Sequence, residues 1–416
     1  MTSTLQRPIA SIHGSEHEVT CTDGRVVRCA DFDYAASAPA LDSVVDRVRE
    51  VLPYCASVHR GAGYKSRVCT AEYEAARNTV HAFCGADDDD VVVFTRNTTD
   101  ALNLLARCVP GDTVVLDIEH HANLLPWRNR RVVRSATTVR ETLDRLRVEL
   151  ATKPAALLAI TGASNVTGEV LPLAELASLA HSFGARILVD GAQLVPHRPV
   201  DLTATGIDYL AFSGHKLYAP FGAGVLVGRR DWLDRAEPYL AGGGATQHVG
   251  IDDGRESVDI RWAPSPARHE GGTPNLLGAV ALAAACDEIV RLGFDAVADH
   301  DHECTEALIR GLSAVDGVQV LRVWSDSEDI VGIVSFAVAG VDPSVLATAL
   351  ADDHGIAVRA GKFCAHPLLD RLGVSGGAVR ASIGLGTTQG DVDRLVEAVA
   401  VTCLSLRRRV TTGSLA

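Results

Sequence analysis

Lys216 ends the tetrapeptide Ser213-Gly214-His215-Lys216, which follows a mainly apolar run at 209–212 and precedes a glycine-bearing stretch at 219–224. This pattern predicts a lysine at the end of a strand, with its amine facing a cleft. Burial favours the neutral amine, which is the nucleophile that forms a Schiff base with an aldehyde. An isolated lysine is more simply a surface residue in a turn, so this interpretation depends on the neighbouring motifs.

Asp190 stands at the end of the apolar run Ile187-Leu188-Val189 and precedes Gly191-Ala192-Gln193. A carboxylate at the end of a buried strand can keep a pyridinium nitrogen protonated. A protonated pyridoxal 5'-phosphate (PLP) ring is an electron sink for carbanion chemistry. Alone, such an aspartate is about as often a helix N-cap as a cofactor ligand. Together with Lys216, it predicts a PLP enzyme.

Two further motifs follow predicted strands. Arg96-Asn97-Thr98-Thr99-Asp100 opens a predicted helix, where backbone N–H groups and threonine hydroxyls can bind a phosphate, although an ordinary capping threonine would look the same. His120, in Glu119-His120-His121-Ala122-Asn123, can stack on a pyridine ring and transfer protons. Adjacent histidines rarely chelate one ion and the sequence offers no third ligand, so we expect no metal.

The order and wording of these motifs resemble the class V aminotransferases among the fold-type-I PLP enzymes, and within them the group II (Suf-type) cysteine desulfurases. The resemblance begins at about Asp31 and covers nearly all of the remaining chain. It implies PLP as the cofactor. The cofactor-binding residues it implies are Thr98, Thr99, Ser213 and His215 at the phosphate, His120 on the ring, Asp190 at the ring nitrogen, Asn165 and Gln193 near the phenolic oxygen, and Lys216.

The same resemblance implies a homodimer. Glu270-Gly271-Gly272-Thr273-Pro274-Asn275 matches a family loop whose threonine, here Thr273, reaches the phosphate bound by the neighbouring subunit. Asn97 stands where a glycine is common in the family, and we expect this departure to be tolerated.

Two C-terminal segments refine the predicted reaction. Arg380 matches the family arginine that binds the substrate α-carboxylate, a role that suits a planar bidentate group, and Arg359 and Asn165 are expected beside it. The segment that continues from Arg359 through Lys362-Phe363-Cys364-Ala365-His366 resembles the desulfurase catalytic loop, with Cys364 at the persulfide position. A thiolate is a suitable soft nucleophile for sulfur, although a small buried cysteine is the alternative. Lys362 and Phe363 replace two histidines that are common in Suf-type enzymes.

These residues predict conversion of L-cysteine to L-alanine, with a persulfide on Cys364 that passes to a sulfur-acceptor protein. Other reactions of the same scaffold remain open: selenocysteine lyase, β-lyase, epimerase or aminotransferase activity on a small amino acid. A non-catalytic scaffold that binds PLP or a partner is a further alternative. The presence of Lys216, Asp190, Cys364 and Arg380 together argues against it.

A mainly parallel α/β sheet must position these residues. Residues 91–228 alternate short β-branched runs with amphipathic stretches, as βαβ units do, and sites lie at the carboxyl ends of such strands. The family resemblance implies a seven-stranded sheet in a large domain at 31–282 and a smaller α/β domain at 283–416 that carries the cysteine loop. Residues 1–30 are expected to pack with the small domain, with a hairpin around Asp23-Gly24. The segment 238–275 is predicted to be loop-rich, and Leu276–Leu292 a helix stopped by Gly293.

The composition fits a globular protein: 416 residues, 47% hydrophobic and 22% charged. The net charge of −13 opposes binding to nucleic acid or anionic lipid. The ten cysteines are scattered without zinc-site spacing, and most are expected to be reduced core residues. No signal peptide or membrane span is recognised, which predicts a cytoplasmic location.

Overall fold

A seven-stranded sheet forms the centre of the molecule in the computed structural model, which describes residues 8–252 and 257–411. The strand order is β4-β10-β9-β8-β7-β5-β6, and only β10 runs antiparallel to its neighbours. The predicted mainly parallel sheet is therefore confirmed. Its strands are β4 (Asp90–Thr95), β5 (Thr113–Leu116), β6 (Arg130–Val133), β7 (Leu157–Thr161), β8 (Arg186–Asp190), β9 (Tyr209–Ser213) and β10 (Gly224–Arg229).

Both faces of this sheet are buried. On β7, Leu158 and Ile160 belong to one apolar cluster, whereas the alternate residues Leu157 and Ala159 belong to another. Because successive side chains of a strand point to opposite faces, each face has its own core. The helices of this part of the chain are α1 (Asp42–Val51), α2 (Tyr64–Phe83), α3 (Thr98–Cys108), α4 (His121–Leu124), α5 (Val139–Thr152), α6 (Leu173–Ser182), α7 (Leu202–Thr205), α8 (Arg230–Arg235) and α9 (Leu276–Leu292).

A second, four-stranded sheet lies in the C-terminal part of the chain. It has the order β13-β14-β17-β16 and is antiparallel throughout. The helix α9 packs against α1 and α2, while α10 packs against α13 and β13. The elements are β13 (Val318–Val320), β14 (Ile333–Val338), β15 (Ile356–Ala357), β16 (Arg359–Gly361), β17 (Ala378–Ser382), α10 (Phe294–Ser313), α11 (Pro343–His354), α12 (His366–Arg371) and α13 (Gln389–Thr411).

The N-terminal segment contacts this C-terminal part. The predicted hairpin is present as β1 (Glu18–Thr20) and β2 (Val26–Arg28), and Gly24 adopts the positive φ of 85° that its turn requires. After it, β3 (Ala30–Asp31) pairs in parallel with β15. The domain boundaries expected at 30/31 and 282/283 stay predictions.

The segment 238–275 is more regular than its composition indicates. It contains an antiparallel hairpin of β11 (Thr246–Asp252) and β12 (Ser257–Trp262), so the prediction of a loop-rich segment was incomplete. Val249 pairs with Ile260 and Ile251 with Val258, and all four side chains are exposed. Alternation without burial is a weak signal in a glycine-rich segment, which explains why the hairpin was missed.

Candidate active site

A cavity of about 330 Å³ opens where the carboxyl ends of the large sheet face the loop that carries Cys364. All the predicted site residues except Thr273 line this cavity. They extend from Thr98 to Arg380, which are 282 positions apart in the chain. The predicted residues that line the cavity are Thr98, Thr99, His120, Asn165, Asp190, Gln193, Ser213, His215, Lys216, Arg359, Cys364 and Arg380.

Lys216 and Asp190 come together because they follow adjacent parallel strands. Asp190 ends β8, whose partner β9 leads into the single 3₁₀ turn Gly214–Lys216. Burial lowers the pKa of Lys216 to about 8, against an opposing effect of the Asp190 charge. Burial raises the pKa of Asp190, while Lys216 opposes that shift. At pH 7 about a tenth of the amine is therefore neutral and nucleophilic, far more than for a lysine with the ordinary pKa of 10.5.

The start of α3 is joined to the end of β9. The backbone N–H of Thr98 donates to Ser213 Oγ at 2.6 Å, and the two hydroxyls of these residues lie 2.7 Å apart. Asn97 is the N-cap, and its side chain accepts from Asp100 N at 3.0 Å. Its backbone is extended, so the glycine that is common in the family is not required at this position. A Cβ on Gly224 would lie 2.5 Å from Asn97 Cα, which explains why the facing strand carries a glycine.

His120 faces the cavity as a neutral imidazole. Its Nδ1 accepts from the backbone N–H of Ala122 at 3.0 Å, which leaves Nε2 to carry the proton. Burial is the largest cause that lowers the pKa of His120 to about 4, and the charge of Lys216 adds to the shift. A neutral ring in this position can stack on an aromatic cofactor, with Nε2 available for proton transfer.

The predicted carboxylate-binding arginine lies on β17. Arg380 donates to Asn165 O at 3.0 Å, and its Nε is buried without a partner. The ring of Phe363 lies 5.2 Å from its guanidinium carbon. Burial lowers the pKa of Arg380 to about 10, a shift opposed by the charge of Asp33. The buried, unpartnered Nε leaves donor capacity for an incoming carboxylate.

Asp33 is a charged residue of this site that the sequence did not reveal. It follows β3, and its Oδ2 lies 2.7 Å from Arg359 NH2, while its Oδ1 lies 3.5 Å from Arg380 NH2. The only available signal was its position just after Asp31, where the family resemblance begins. Its partners are 326 and 347 positions away.

The loop that carries Cys364 has an unusual backbone. Phe363 and Cys364 have positive φ angles of 50° and 52°, a conformation that costs a non-glycine residue of order 1–3 kcal/mol. Asn165 Nδ2 donates to Phe363 O, and His121 N donates to Cys364 O, both at 2.8 Å. Segments that follow β7 and β5 thus hold the loop in this shape, while the thiol residue remains exposed.

Thr273 lies apart from the other predicted residues. It lines a second pocket, of about 230 Å³, together with Glu270, Tyr239 and Asp100. The contact with a neighbouring subunit's phosphate therefore stays a prediction. No group of three or more metal-ligating side chains occurs among residues 8–252 and 257–411.

The donor set fits PLP. The hydroxyls of Thr98, Thr99 and Ser213 line the cavity and suit its phosphate, and the carboxylate of Asp190 suits its ring nitrogen. His120 presents a neutral ring, and Lys216 presents the amine for the aldehyde. Fold and site together define a PLP enzyme of fold type I.

Comparison with known proteins identifies the family. The model of the class-V aminotransferases matches residues 31–395, so the chain belongs to this PLP-dependent family. It is 37% identical over 391 residues to cysteine desulfurase CsdA of Escherichia coli, covering 88% of this chain and 92% of that protein. A probable cysteine desulfurase of Halalkalibacterium halodurans is 37% identical over 386 residues, covering 89% of this chain and 92% of that one.

Solved structures of such enzymes share the fold. The apo cysteine desulfurase of Thermococcus onnurineus superposes with a TM-score of 0.83 at 32% identity. The crystal structure of CsdA from Escherichia coli gives 0.80 at 36% identity. Each comparison covers 91% of this chain and 95% of the other.

Proposed function

We propose that this chain is a cysteine desulfurase that converts L-cysteine to L-alanine and retains the sulfur as a persulfide on Cys364. The observation that carries the proposal is the exposed Cys364, which lines the same cavity as Lys216 and Arg380. The names of the relatives, at 35–38% identity over most of the chain, support it.

Three residues of the active site have distinct roles in this reaction. Arg380 binds the α-carboxylate of the amino acid, and Asp190 keeps a proton on the cofactor's ring nitrogen. The neutral amine of Lys216 can accept the proton that leaves the substrate's α-carbon. PLP, when bound, supplies the electron sink on which cleavage of the carbon–sulfur bond depends.

The sulfur step needs one thiolate. Cys364 attacks the substrate's sulfur, the carbon–sulfur bond breaks as the sulfur–sulfur bond forms, and the carbon takes up a proton to give alanine. The enzyme is left with a persulfide, which an acceptor protein removes. The exposure of Cys364 supports access by such an acceptor.

We also propose a cytoplasmic homodimer in which Thr273 of one subunit reaches the phosphate bound by the other. Thr273 lines a different pocket from Lys216 of its own chain, which is consistent with a role across an interface. Free cysteines without disulfides among the described residues favour a reducing compartment. No helix within residues 8–252 and 257–411 is long and apolar enough for a bilayer span.

The test is incubation of the holoenzyme with L-cysteine and a reductant, with alanine and sulfide quantified together. Equal yields are expected, whereas pyruvate with ammonia would identify a β-lyase. Cys364→Ala should keep the cofactor's absorbance and lose roughly 10³-fold or more of the product, since it lacks the nucleophile. Cys55→Ala, which changes the other exposed cysteine among the described residues, is the matched control and should stay active. Nearly intact turnover by Cys364→Ala would overturn the proposal.

A further inference from the structure

A buried carboxyl group and a buried amide form a contacting pair that has no role in the proposed reaction. Glu119 directly precedes His120, and both Glu119 and Asn123 are fully buried. Asn123 Nδ2 donates to Glu119 Oε2 at 2.7 Å. The other oxygen of each group, Glu119 Oε1 and Asn123 Oδ1, is buried without a hydrogen-bond partner. Buried polar atoms without partners are rare, so two of them in one contacting pair need a physical explanation.

One proton on Glu119 provides that explanation. An ionised carboxylate only accepts hydrogen bonds, and Asn123 Oδ1 also only accepts, so an ionised Glu119 supplies no donor to either oxygen. A protonated carboxyl group has one O–H donor and can still accept. Oε1–H can then donate to Asn123 Oδ1 while Oε2 accepts from Asn123 Nδ2, which is the two-bond ring that a carboxylic acid forms with an amide.

The surroundings of Glu119 favour its protonated form. Burial is the largest cause that raises the pKa of Glu119 to about 8, and the charges of Asp190 and Asp117 add to the shift. Hydrogen bonds from Asn123 and from the backbone of Thr161 oppose the shift. At pH 7 about nine tenths of this carboxyl group therefore keeps its proton.

The pair lies in a short turn that touches two important parts of the active site. Asn123 belongs to the four-residue helix α4, whose N-cap is His120. The next residue, His121, donates its backbone N–H to Cys364 O at 2.8 Å. Trp127 Nε1 donates to Asn123 O at 2.7 Å. A single helical turn makes few backbone hydrogen bonds of its own, so side-chain contacts must fix its position.

We infer that Glu119 is a positioning residue that carries a proton at neutral pH: through two hydrogen bonds to Asn123, it fixes the turn that presents His120 and holds the loop of Cys364. The inference goes beyond the proposed function and rests on it only for the role of Cys364. A neutral Glu119 also adds no second negative charge beside Asp190.

Infrared difference spectroscopy of the holoenzyme tests the proton directly. The spectrum of wild type minus that of Glu119→Gln at pH 7 should show the carbonyl stretch of a protonated carboxyl group, which an ionised carboxylate lacks. Glu175→Gln, which changes an exposed glutamate on α6, is the matched control and should give no such band. Carboxylate bands alone in the Glu119→Gln difference would show that Glu119 is ionised and would overturn the inference.

Rates of alanine formation from cysteine test the positioning role. Glutamine has a carboxamide of the same shape, so Glu119→Gln can rebuild both hydrogen bonds and should keep kcat within about twofold of wild type. Glu119→Leu removes both bonds and should lower kcat roughly tenfold with little change in KM, because the turn no longer holds the nucleophile's loop in place. Where Glu119→Leu does not fold, Asn123→Ala removes the same two bonds from the other side and should show the same loss.

Two kinetic outcomes contradict the inference. A tenfold loss of kcat in Glu119→Gln would show that the site needs the negative charge. An unchanged kcat in the folded variants that lack both bonds would show that the pair positions nothing. The infrared measurement needs no turnover, so a holoenzyme that forms no alanine from cysteine would contradict the proposed function and leave the protonation of Glu119 to be decided by its spectrum.

Discussion

At the scale of single residues, the ionisation of Lys216 decides what the site can do. Burial disfavours the ammonium form, the nearby Asp190 favours it, and burial dominates, so the pKa falls from 10.5 to about 8. In the cofactor-free protein this shift also affects stability. Between pH 8 and 10.5 the unfolded chain binds more protons at this lysine than the folded chain, so stability rises with pH across that window.

Lys216→Met should therefore stabilise the cofactor-free protein at pH 7, by about 3 kcal/mol from the size of the shift. The advantage should shrink as pH rises from 8 and vanish above about 10.5, where the lysine is neutral in both states. Denaturant unfolding of both proteins from pH 7 to 11 measures the difference. Parallel stability curves through this window would show that the fold does not lower the pKa of Lys216.

The sequence predicted those site residues that stand at a recognisable place in a local pattern, such as the end of an apolar run. Lys216 and Asp190 each follow an apolar run, and neighbouring parallel strands bring such ends together. Asp33 has no such pattern, because the arginines that it contacts lie more than 300 positions away. Contacts of that kind arise from tertiary packing, which one sequence does not display.

At the scale of elements, the loop that carries Cys364 depends on the helix that follows it. α12 begins two residues after Cys364, and at its end Arg371 donates to the carbonyl of Ala136 at 2.6 Å. Arg371 also contacts Ser135 Oγ and lies 3.4 Å from Asp117. These contacts join α12 to the loop after β6 and to the end of β5, so they fix the position from which the thiol is presented.

Arg371→Gln should slow formation of alanine from cysteine by roughly tenfold, since small displacements of a nucleophile are costly, while cofactor binding stays unchanged. Initial rates and the cofactor content of the purified variant measure the two effects. Arg310→Gln, on the exposed side of α10, is the control and should behave as wild type. A variant that loses cofactor and rate in proportion would instead indicate general unfolding.

Elements differ in how well the sequence predicts them. The alternation of strands and helices over residues 91–228 was predictable, because continuous β-branched runs suit strands that are buried on both faces. The hairpin of β11 and β12 was missed, because its apolar residues are exposed and lie among glycines and prolines. The left-handed backbone at Phe363 and Cys364 was equally invisible, since neither residue type indicates it.

At the scale of the whole molecule, both sheets contribute side chains to the active-site cavity. Buried charged side chains connect the two parts of the chain that carry these sheets. Lys216 and Asp190 come from the seven-stranded sheet, while Arg380 comes from the four-stranded one. Arg198 NH1 donates to Asp301 on α10 at 3.0 Å, and Glu169 accepts from Val323 N at 2.7 Å. Such contacts hold the two sides of the cavity in a fixed relative position, because removal of one partner from a buried charged pair commonly costs several kcal/mol.

In the proposed dimer, each active site also contains a residue of the neighbouring subunit. Complementation between two inactive variants tests this arrangement. Thr273→Glu should be inactive, because its charge repels the phosphate of the partner's cofactor, and Lys216→Ala lacks the amine. In a heterodimer of the two variants, one site combines an intact Lys216 with an intact Thr273. Random exchange should therefore restore about a quarter of wild-type activity, since half of the dimers carry one intact site.

The matched control mixes Lys216→Ala with Asp190→Ala. Both residues line the cavity of the same chain, so every site in these heterodimers lacks one of them and no activity should return. Mass spectrometry of the intact dimers measures subunit exchange, and alanine formation measures activity. Exchange without recovery in the Thr273 mixture would show that Thr273 does not complete the neighbouring site. Equal recovery in both mixtures would show that the gain has another origin than a shared site.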